Sequence, residues 1–204
     1  MTLTSFNKKR KIIIGIDEAG RGPWAGPVVA ASVLFKNDDI IKPYYEKIND
    51  SKKISEKQRE FIFQQILEDD NIEYNYAVIA NEIIDETNIL RATKLAMKTS
   101  LAKHKYYYSD VLVDGNQTFD YENKNIKAII GGDGIIREIS TASIIAKCVR
   151  DNIMKDIAKE YPSYGFEKHK GYGTKLHKEA IEKYGACKYH RYSFKPIKEI
   201  EARK

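Results

Sequence analysis

Apolar and polar positions along this chain follow two rhythms, one of strands and one of helices. Residues 11–16 (KIIIGI) form a short apolar run that stops at Asp17, as a buried strand does. A turn rich in glycine and proline separates it from residues 27–35 (PVVAASVLF), a second strand expected to lie antiparallel to the first. Ser55 and Gln58 make an S-x-x-Q capping box, which predicts a helix from about residue 56 to 67. Residues 73–80 (EYNYAVIA) alternate as a half-buried strand should, and residues 81–103 read as helix with a break near Asn88. Two more strands are expected at 109–114 (SDVLVD) and 126–130, and then a long helix over 138–160, closed by Pro162. Three strands and then strands alternating with helices predict an α/β domain on a mixed sheet. The stretch after Pro162 is rich in Gly, Tyr and Lys and reads as a helical cap packed on that domain, with no flexible linker before it.

Length and charge sharpen this picture. A chain of 204 residues fits one domain with a real core, so residues 1–204 are expected to form a single domain. No apolar run approaches membrane-spanning length, and the basic residues Lys8, Lys9 and Arg10 are not followed by an apolar signal region. A cytoplasmic location away from membranes is expected. Cys148 and Cys187 read as ordinary reduced thiols. The net charge is +6, and all of the excess falls in residues 161–204, where 11 Lys and Arg face five Glu and no Asp. Six of the 14 tyrosines and three of the four histidines are also there. Basic side chains neutralise phosphates and aromatic rings stack on bases or sugars, so this segment is expected to bind nucleic acid.

Four acids fall at or just beyond predicted strand ends: Asp17 and Glu18 after IIIGI, Asp114 after VLV, and Asp133 after AIIGG. One Asp before a glycine is an ordinary turn residue. Several strands that end in acids point to a metal site, because carboxylates ending buried strands are costly unless paired or bound to an ion. Ligation by oxygen alone suits a hard cation, Mg²⁺ or Mn²⁺, and no His or Cys cluster offers a competing zinc site. Two such ions could clamp the attacking water and the leaving oxygen of a phosphodiester. Adjacent strand residues face opposite ways, so Glu18 can join Asp17 only if it lies past the ladder, where the following turn re-aims it. The loop Gly20-Arg21-Gly22-Pro23 lacks both the dinucleotide spacing and the G-K-[ST] of a P-loop. Its glycines would instead let the backbone approach a nucleic-acid strand while Arg21 reaches a phosphate. A structural turn is favoured for Gly26 and Pro27.

These motifs resemble those of ribonuclease HII. IDEAGRGPWAGPVVAASV, NDSKKISEKQRE, VLVDGN, ASIIAKCVRD, YPSYGFEKHKGYGT and HRYSF follow one another in that family's order from about residue 12 to 196. The resemblance implies a ribonuclease H-like fold: a five-stranded mixed sheet flanked by helices, with a C-terminal helical segment. It implies an endonuclease that cuts the RNA strand of RNA–DNA hybrids and cuts 5′ of single ribonucleotides embedded in duplex DNA. The products would carry 3′-hydroxyl and 5′-phosphate ends, and the role would be ribonucleotide removal in DNA replication and repair. Asp17, Glu18, Asp114 and Asp133 match the family's catalytic, metal-binding acids. Gly20, Arg21 and Gly22 match the loop that reads the junction between a ribonucleotide and the next deoxyribonucleotide, and Tyr172 matches the tyrosine that packs on the sugar there. The expected partners are RNA–DNA hybrid and ribonucleotide-containing duplex DNA, and the expected state is a monomer.

One departure is visible. The family usually has a small polar residue and then a basic one after Gly132-Asp133, whereas Gly134 and Ile135 stand here. Other residues have plain readings. Lys147, Arg150 and Asp151 are as readily a structural ion pair as a substrate contact, and His104 is expected at the surface. His169, His177 and His190 divide evenly between phosphate contacts and structural hydrogen bonds. Ser51, Lys52 and Lys53 read as a solvated cluster that could touch the DNA strand. Ribonuclease HIII, which carries an additional N-terminal domain, is the alternative within the fold; a first strand near residue 12 leaves no room for that domain. A binding module without catalysis is the alternative outside enzymes.

Overall fold

The computed structural model describes residues 11–48, 54–122 and 124–203. Lys8, Lys9, Arg10, Ser51, Lys52 and Lys53 therefore lie outside the described residues. Five strands form one sheet: β1 (Ile13–Ala19), β2 (Val28–Phe35), β3 (Ile72–Ile79), β4 (Asp110–Asp114) and β5 (Asn125–Ile129), in the order β3-β2-β1-β4-β5. β1, β2 and β3 are antiparallel neighbours, whereas β4 runs parallel to β1 and β5 parallel to β4. This is the expected mixed sheet. Every residue of β2 is buried, because the strand is paired on both edges and covered on both faces.

The helices follow local signals. α1 (Tyr45–Ile48) is a single turn, and α2 (Glu56–Leu67) opens with both bonds of the Ser55–Gln58 capping box. The expected break near Asn88 divides α3 (Asn81–Glu86) from α4 (Ile89–Leu101), and Asn88 caps α4 by accepting the Arg91 N–H at 2.9 Å. α5 (Arg137–Glu160) ends at Tyr161, ahead of Pro162. The remaining chain forms α6 (Phe166–His169), α7 (Lys175–Tyr184) and α8 (Lys195–Glu201).

Two cores lie on the two faces of the sheet. Val29, Ala31 and Val33 of β2 pack with Ile144, Ile145 and Cys148 of α5 and with Ile62 and Ile66 of α2. Ile14 and Ile16 of β1 pack with Ala96, Met97 and Leu101 of α4. A third cluster joins Met154 and Ile157 of α5 to Tyr164, Phe166, Ile181 and Ile197, which fastens the C-terminal helices to the body. Several aromatics of that segment are thus core, as a packed cap requires, rather than free to stack on bases or sugars. Many of its charges pair along helix faces, Lys175 with Glu179, Lys178 with Glu182 and Lys195 with Glu199. Both cysteines are buried and free.

α5 packs closely against β1 at Gly15. A Cβ on Gly15 would collide with the backbone of Glu138 and Ile139. Gly134, by contrast, has open space around its Cβ direction. Gly15→Ala should therefore cost about 3 kcal/mol or more, since backbone cannot yield as a side-chain tip can. At ~2–4 °C per kcal/mol for a chain of this size, a thermal melt should show a drop near 10 °C. Gly134→Ala should melt within a degree or two of the parent, and equal melting of the two variants would refute this account of the β1–α5 contact.

Candidate active site

Asp17 lies two residues beyond Gly15 and so faces α5, and it is buried. Its Oδ1 accepts the Glu18 N–H at 2.7 Å, and Ser143 of α5 hydrogen-bonds the same carboxylate. Asp114 ends β4, the parallel neighbour of β1, so the two acids emerge at the same end of the sheet. Asp133 arrives by a separate route. After β5 the chain turns through Gly131, at a left-handed φ of 69°, into a 3-10 turn at Gly132–Gly134. The Asp133 N–H then donates to Asp114 Oδ1 at 3.3 Å.

One carboxylate oxygen from each of Asp17, Asp114 and Asp133 lies within 4.8 Å of the others. Burial pushes the Asp17 carboxyl up to about 7, and the charges of Glu18 and Asp114 add to this while the Ser143 bond opposes it. Among the described residues no Lys or Arg forms an ion pair with Asp17 or Asp114. A buried acid elsewhere shows the contrast: Asp69 accepts from Tyr44, Tyr45 and Lys42 and is fully served by protein donors. Three converging carboxylates, with no Lys or Arg ion-paired to Asp17 or Asp114, fit a hard divalent cation.

The departure at Gly134-Ile135 leaves this turn intact. Gly134 N–H donates to Gly131 O and Ile135 N–H to Gly132 O, each at 3.1 Å, so backbone alone closes it. Ser140 Oγ adds a bond of 2.7 Å to Asp133 O.

Glu18 stands differently from expectation. It does not lie past the strand: the β1–β2 ladder continues through Glu18↔Ala30 to Ala19↔Val29. Its side chain therefore shares the face of Ile14 and Ile16, away from α5, and it lies outside the three-acid cluster. Strand end is set by the pairing partner, and β2 is long enough to hold β1 in register for two residues beyond the first acid. Burial raises the Glu18 carboxyl, and Arg21, donating to its Oε1 at 3.2 Å, opposes that shift. Glu18 remains near enough to raise the Asp17 carboxyl, and it borders one groove with Asp114 and a second with the glycine loop.

That second groove, about 430 Å³, brings together residues far apart in sequence. Its walls include Glu18, Gly20, Arg21, Gly22, Tyr172, Arg59, Lys147, Asp151 and Lys170. Gly22 faces Tyr172: a Cβ there would lie 3.7 Å from the ring. Gly20 has a φ of 100°, and a Cβ on it would strike Arg150. The half-exposed Arg21 is turned to Glu18 in this state. Arg59 pairs with Asp151 at 3.6 Å, and Lys147 Nζ donates to Ser143 at 2.9 Å. Arg59 was not singled out by sequence, whereas Lys170 belongs to the basic C-terminal segment that was expected to bind nucleic acid. Ser143, Lys147 and Asp151 recur every four residues on α5, a spacing that places them on one helix face and could have marked it.

The histidines are also corrected. His104 is enclosed rather than at the surface, bonded to Ser32 Oγ at 2.8 Å and Glu73 Oε1 at 3.1 Å. His169, His177 and His190 are all buried and make structural hydrogen bonds. Arg150 forms no ion pair with Asp151; it donates to the carbonyls of Pro27, Ala25 and Lys170.

A mixed sheet of this order, with acids gathered at the end of its central parallel pair, belongs to the ribonuclease H-like class of hydrolases. The family model for Ribonuclease HII matches residues 14–197. Ribonuclease HII of Endomicrobium trichonymphae is 49% identical over 195 residues, covering 96% of this chain and 90% of that protein. The crystal structure of ribonuclease H2 from Pyrococcus horikoshii OT3 superposes with a TM-score of 0.76 at 25% identity, covering 94% of this chain and 98% of that one. Bst-RNase HIII in complex with Mn²⁺ shares the fold at 17% identity and a TM-score of 0.68, over 95% of this chain and 70% of that one. The chain belongs to the ribonuclease HII family and is an endoribonuclease of the ribonuclease H type. Among the described residues no helix is long and apolar enough to cross a membrane.

The raised Asp17 carboxyl has a testable sign. The folded protein holds this proton more tightly than the unfolded chain does, so metal-free stability should fall as pH rises from about 4 to about 7. Asp17→Asn removes the penalty and keeps an oxygen for the Glu18 N–H. In EDTA at pH 8 it should raise Tm by several degrees, reflecting a few kcal/mol at most, with cleavage abolished. Mg²⁺ or Mn²⁺ should raise the Tm of the parent but not of the variant. Near-normal turnover in Asp17→Asn would overturn the site assignment.

Proposed function

We propose that the chain cuts the RNA strand of RNA–DNA hybrids and also cuts 5′ of a single ribonucleotide embedded in duplex DNA, leaving 3′-hydroxyl and 5′-phosphate ends. The observation that carries this reading is the apposition of Gly22 and Tyr172 across a basic groove that Glu18 links to the acid cluster. To tell RNA from DNA a protein must probe the 2′-OH. Backbone groups of Gly20, Arg21 and Gly22 can meet that hydroxyl, while the Tyr172 ring offers a flat apolar face to the next sugar. A deoxyribose can lie close to that face, whereas a ribose there would bury an unpartnered hydroxyl.

Asp17, Asp114 and Asp133 would hold a divalent cation, and Glu18, outside this cluster but bordering a groove with Asp114 on the other face of β1, would join as a ligand from that side. When bound, two Mg²⁺ or Mn²⁺ ions supply an activated water and stabilise the departing 3′ oxygen, so no protein nucleophile is required. Lys170, Lys147 and Arg59 hold phosphates and set the register of the strand. In this reading residues 1–204 form one catalytic domain, and residues 161–204 both brace the glycine loop and bind substrate. The protein acts as a monomer in the cytoplasm, in the removal of ribonucleotides from DNA.

Two measurements test the reading. The parent should cut a DNA duplex carrying one ribonucleotide on its 5′ side, with either Mg²⁺ or Mn²⁺. Tyr172→Ala should slow that reaction about tenfold or more, relative to a long RNA–DNA hybrid, with little change in duplex affinity. A parent that cuts only the long hybrid would instead be a hybrid-only ribonuclease H. The second measurement concerns charge. Lys170 lines the groove, whereas Lys175 is almost fully exposed on α7 and paired with Glu179. Lys170→Glu should weaken hybrid binding and lower the salt slope by about 1–2, and Lys175→Glu should do less of both. Unchanged affinity and slope in both variants would leave the C-terminal segment a structural cap only.

A further inference from the structure

Arg191 is fully buried, and its guanidinium is directed entirely at backbone carbonyls. Nε donates to Gly26 O at 2.9 Å, Nη1 to Arg21 O at 3.2 Å and Pro23 O at 2.8 Å, and Nη2 to Gly20 O at 2.6 Å and Pro27 O at 3.1 Å. Among the described residues no carboxylate hydrogen-bonds it. In a trans peptide the C=O of one residue and the N–H of the next point opposite ways. Drawing the Gly20 and Arg21 carbonyls inward to Arg191 therefore turns the N–H groups of Arg21 and Gly22 outward, away from the guanidinium. The Pro23 carbonyl is drawn in likewise, and the Trp24 N–H indeed points away, donating to Gly171 O at 2.8 Å beside Tyr172.

The preceding residue reaches Tyr172 by a separate path. His177 Nδ1 lies 3.0 Å from Tyr172 O, and a carbonyl only accepts, so Nδ1 carries the proton. Burial keeps the His177 imidazole neutral, so its Nε2 accepts, and the partner 3.0 Å away is His190 Nε2, which must donate. His190 Nδ1 is then an acceptor and takes the Cys187 N–H at 2.8 Å; the longer approach of Cys187 O to the same nitrogen, 3.2 Å, carries no proton in this arrangement. Each tautomer follows from the one before, and the chain of bonds ends on the backbone of Tyr172. Backbone bonds from Arg191 N to Trp24 O and from Gly26 N to Tyr189 O, each 2.8 Å, join the same two regions.

We propose that the dipeptide His190-Arg191 is the positioning element of the substrate-reading groove. Arg191 aims the N–H groups of the glycine loop, and His190, acting through His177, sets the backbone of Tyr172. The spacing between loop and tyrosine then depends on two adjacent buried side chains that touch no substrate, and selection of a ribonucleotide followed by a deoxyribonucleotide depends on that spacing. This last step rests on the function proposed above.

The test uses Arg191→Lys, His190→Asn and His190→Gln. Lys keeps the charge but cannot reach five carbonyls, Asn keeps an acceptor for Cys187 N–H but loses the donor to His177, and Gln keeps that donor. Two readouts are taken: the rate on a single-ribonucleotide duplex against that on a long hybrid, and the fluorescence of Trp24, the only tryptophan in the chain, whose ring lies 5.7 Å from that of His177. Arg191→Lys and His190→Asn should lower the single-ribonucleotide rate about tenfold more than the hybrid rate and shift Trp24 emission, and His190→Gln should restore both. Unchanged emission and rate ratio in folded variants would overturn the proposal, as would both rates falling together in step with the folded fraction. If Arg191→Lys does not fold, the His190 pair decides. If the parent ignores the single ribonucleotide, the function proposed above fails separately, and Trp24 emission alone judges whether the dipeptide sets the groove.

Discussion

Mutual repulsion among carboxylates at one buried point is the constraint around which this structure is organised. Asp17, Asp114 and Asp133 come within 4.8 Å of one another, and Asp17 is held in surroundings that push its carboxyl up to about 7. Repulsion between the acids opposes that arrangement, so rigid elements hold it in place. The parallel β1–β4 ladder carries Asp17 and Asp114 to the same end, Gly15 admits α5 against β1, and the turn at Gly131 and Gly132 returns Asp133 to Asp114. Asp69, as deeply buried, has Tyr44, Tyr45 and Lys42 as donors and stores no comparable cost. The two acids differ in that Asp69 is matched by protein donors, whereas Asp17 keeps a raised carboxyl within a cluster whose geometry fits a cation.

A second layer of order lies behind the glycine loop. Arg150 and Arg191 are buried beneath it, and their hydrogen bonds run to carbonyls rather than to acids. Burial pushes the Arg191 guanidinium down to about 9, and the neighbouring Arg150 adds to the effect. Cationic groups in this position stiffen the loop and also leave positive potential beneath a groove suited to phosphate. The C-terminal segment thus acts from inside the protein, through the carbonyl bonds of Arg191. Its helix-face ion pairs engage Lys175, Lys178 and Lys195, three of its 11 basic residues, and leave the net excess unchanged.

Much of the architecture was legible in sequence because strands, helix caps and strand-end acids are local patterns. The Ser55–Gln58 box, the break at Asn88 and the stop before Pro162 each depend on residues within a few positions, and each occurs where expected. The acids were legible for the same reason, since a carboxylate ending an apolar run violates a local rule. What sequence did not settle was anything decided by a distant partner. Glu18 faces away from Asp17 because β2 extends the ladder past it, and His104 is enclosed because Ser32 and Glu73 close over it. The hold of Arg191 on residues 20–27 was invisible for a more basic reason. Every residue offers a carbonyl, so a guanidinium that binds carbonyls some 165 positions away has no complementary residue type to reveal it, and only the tertiary structure decides which it meets.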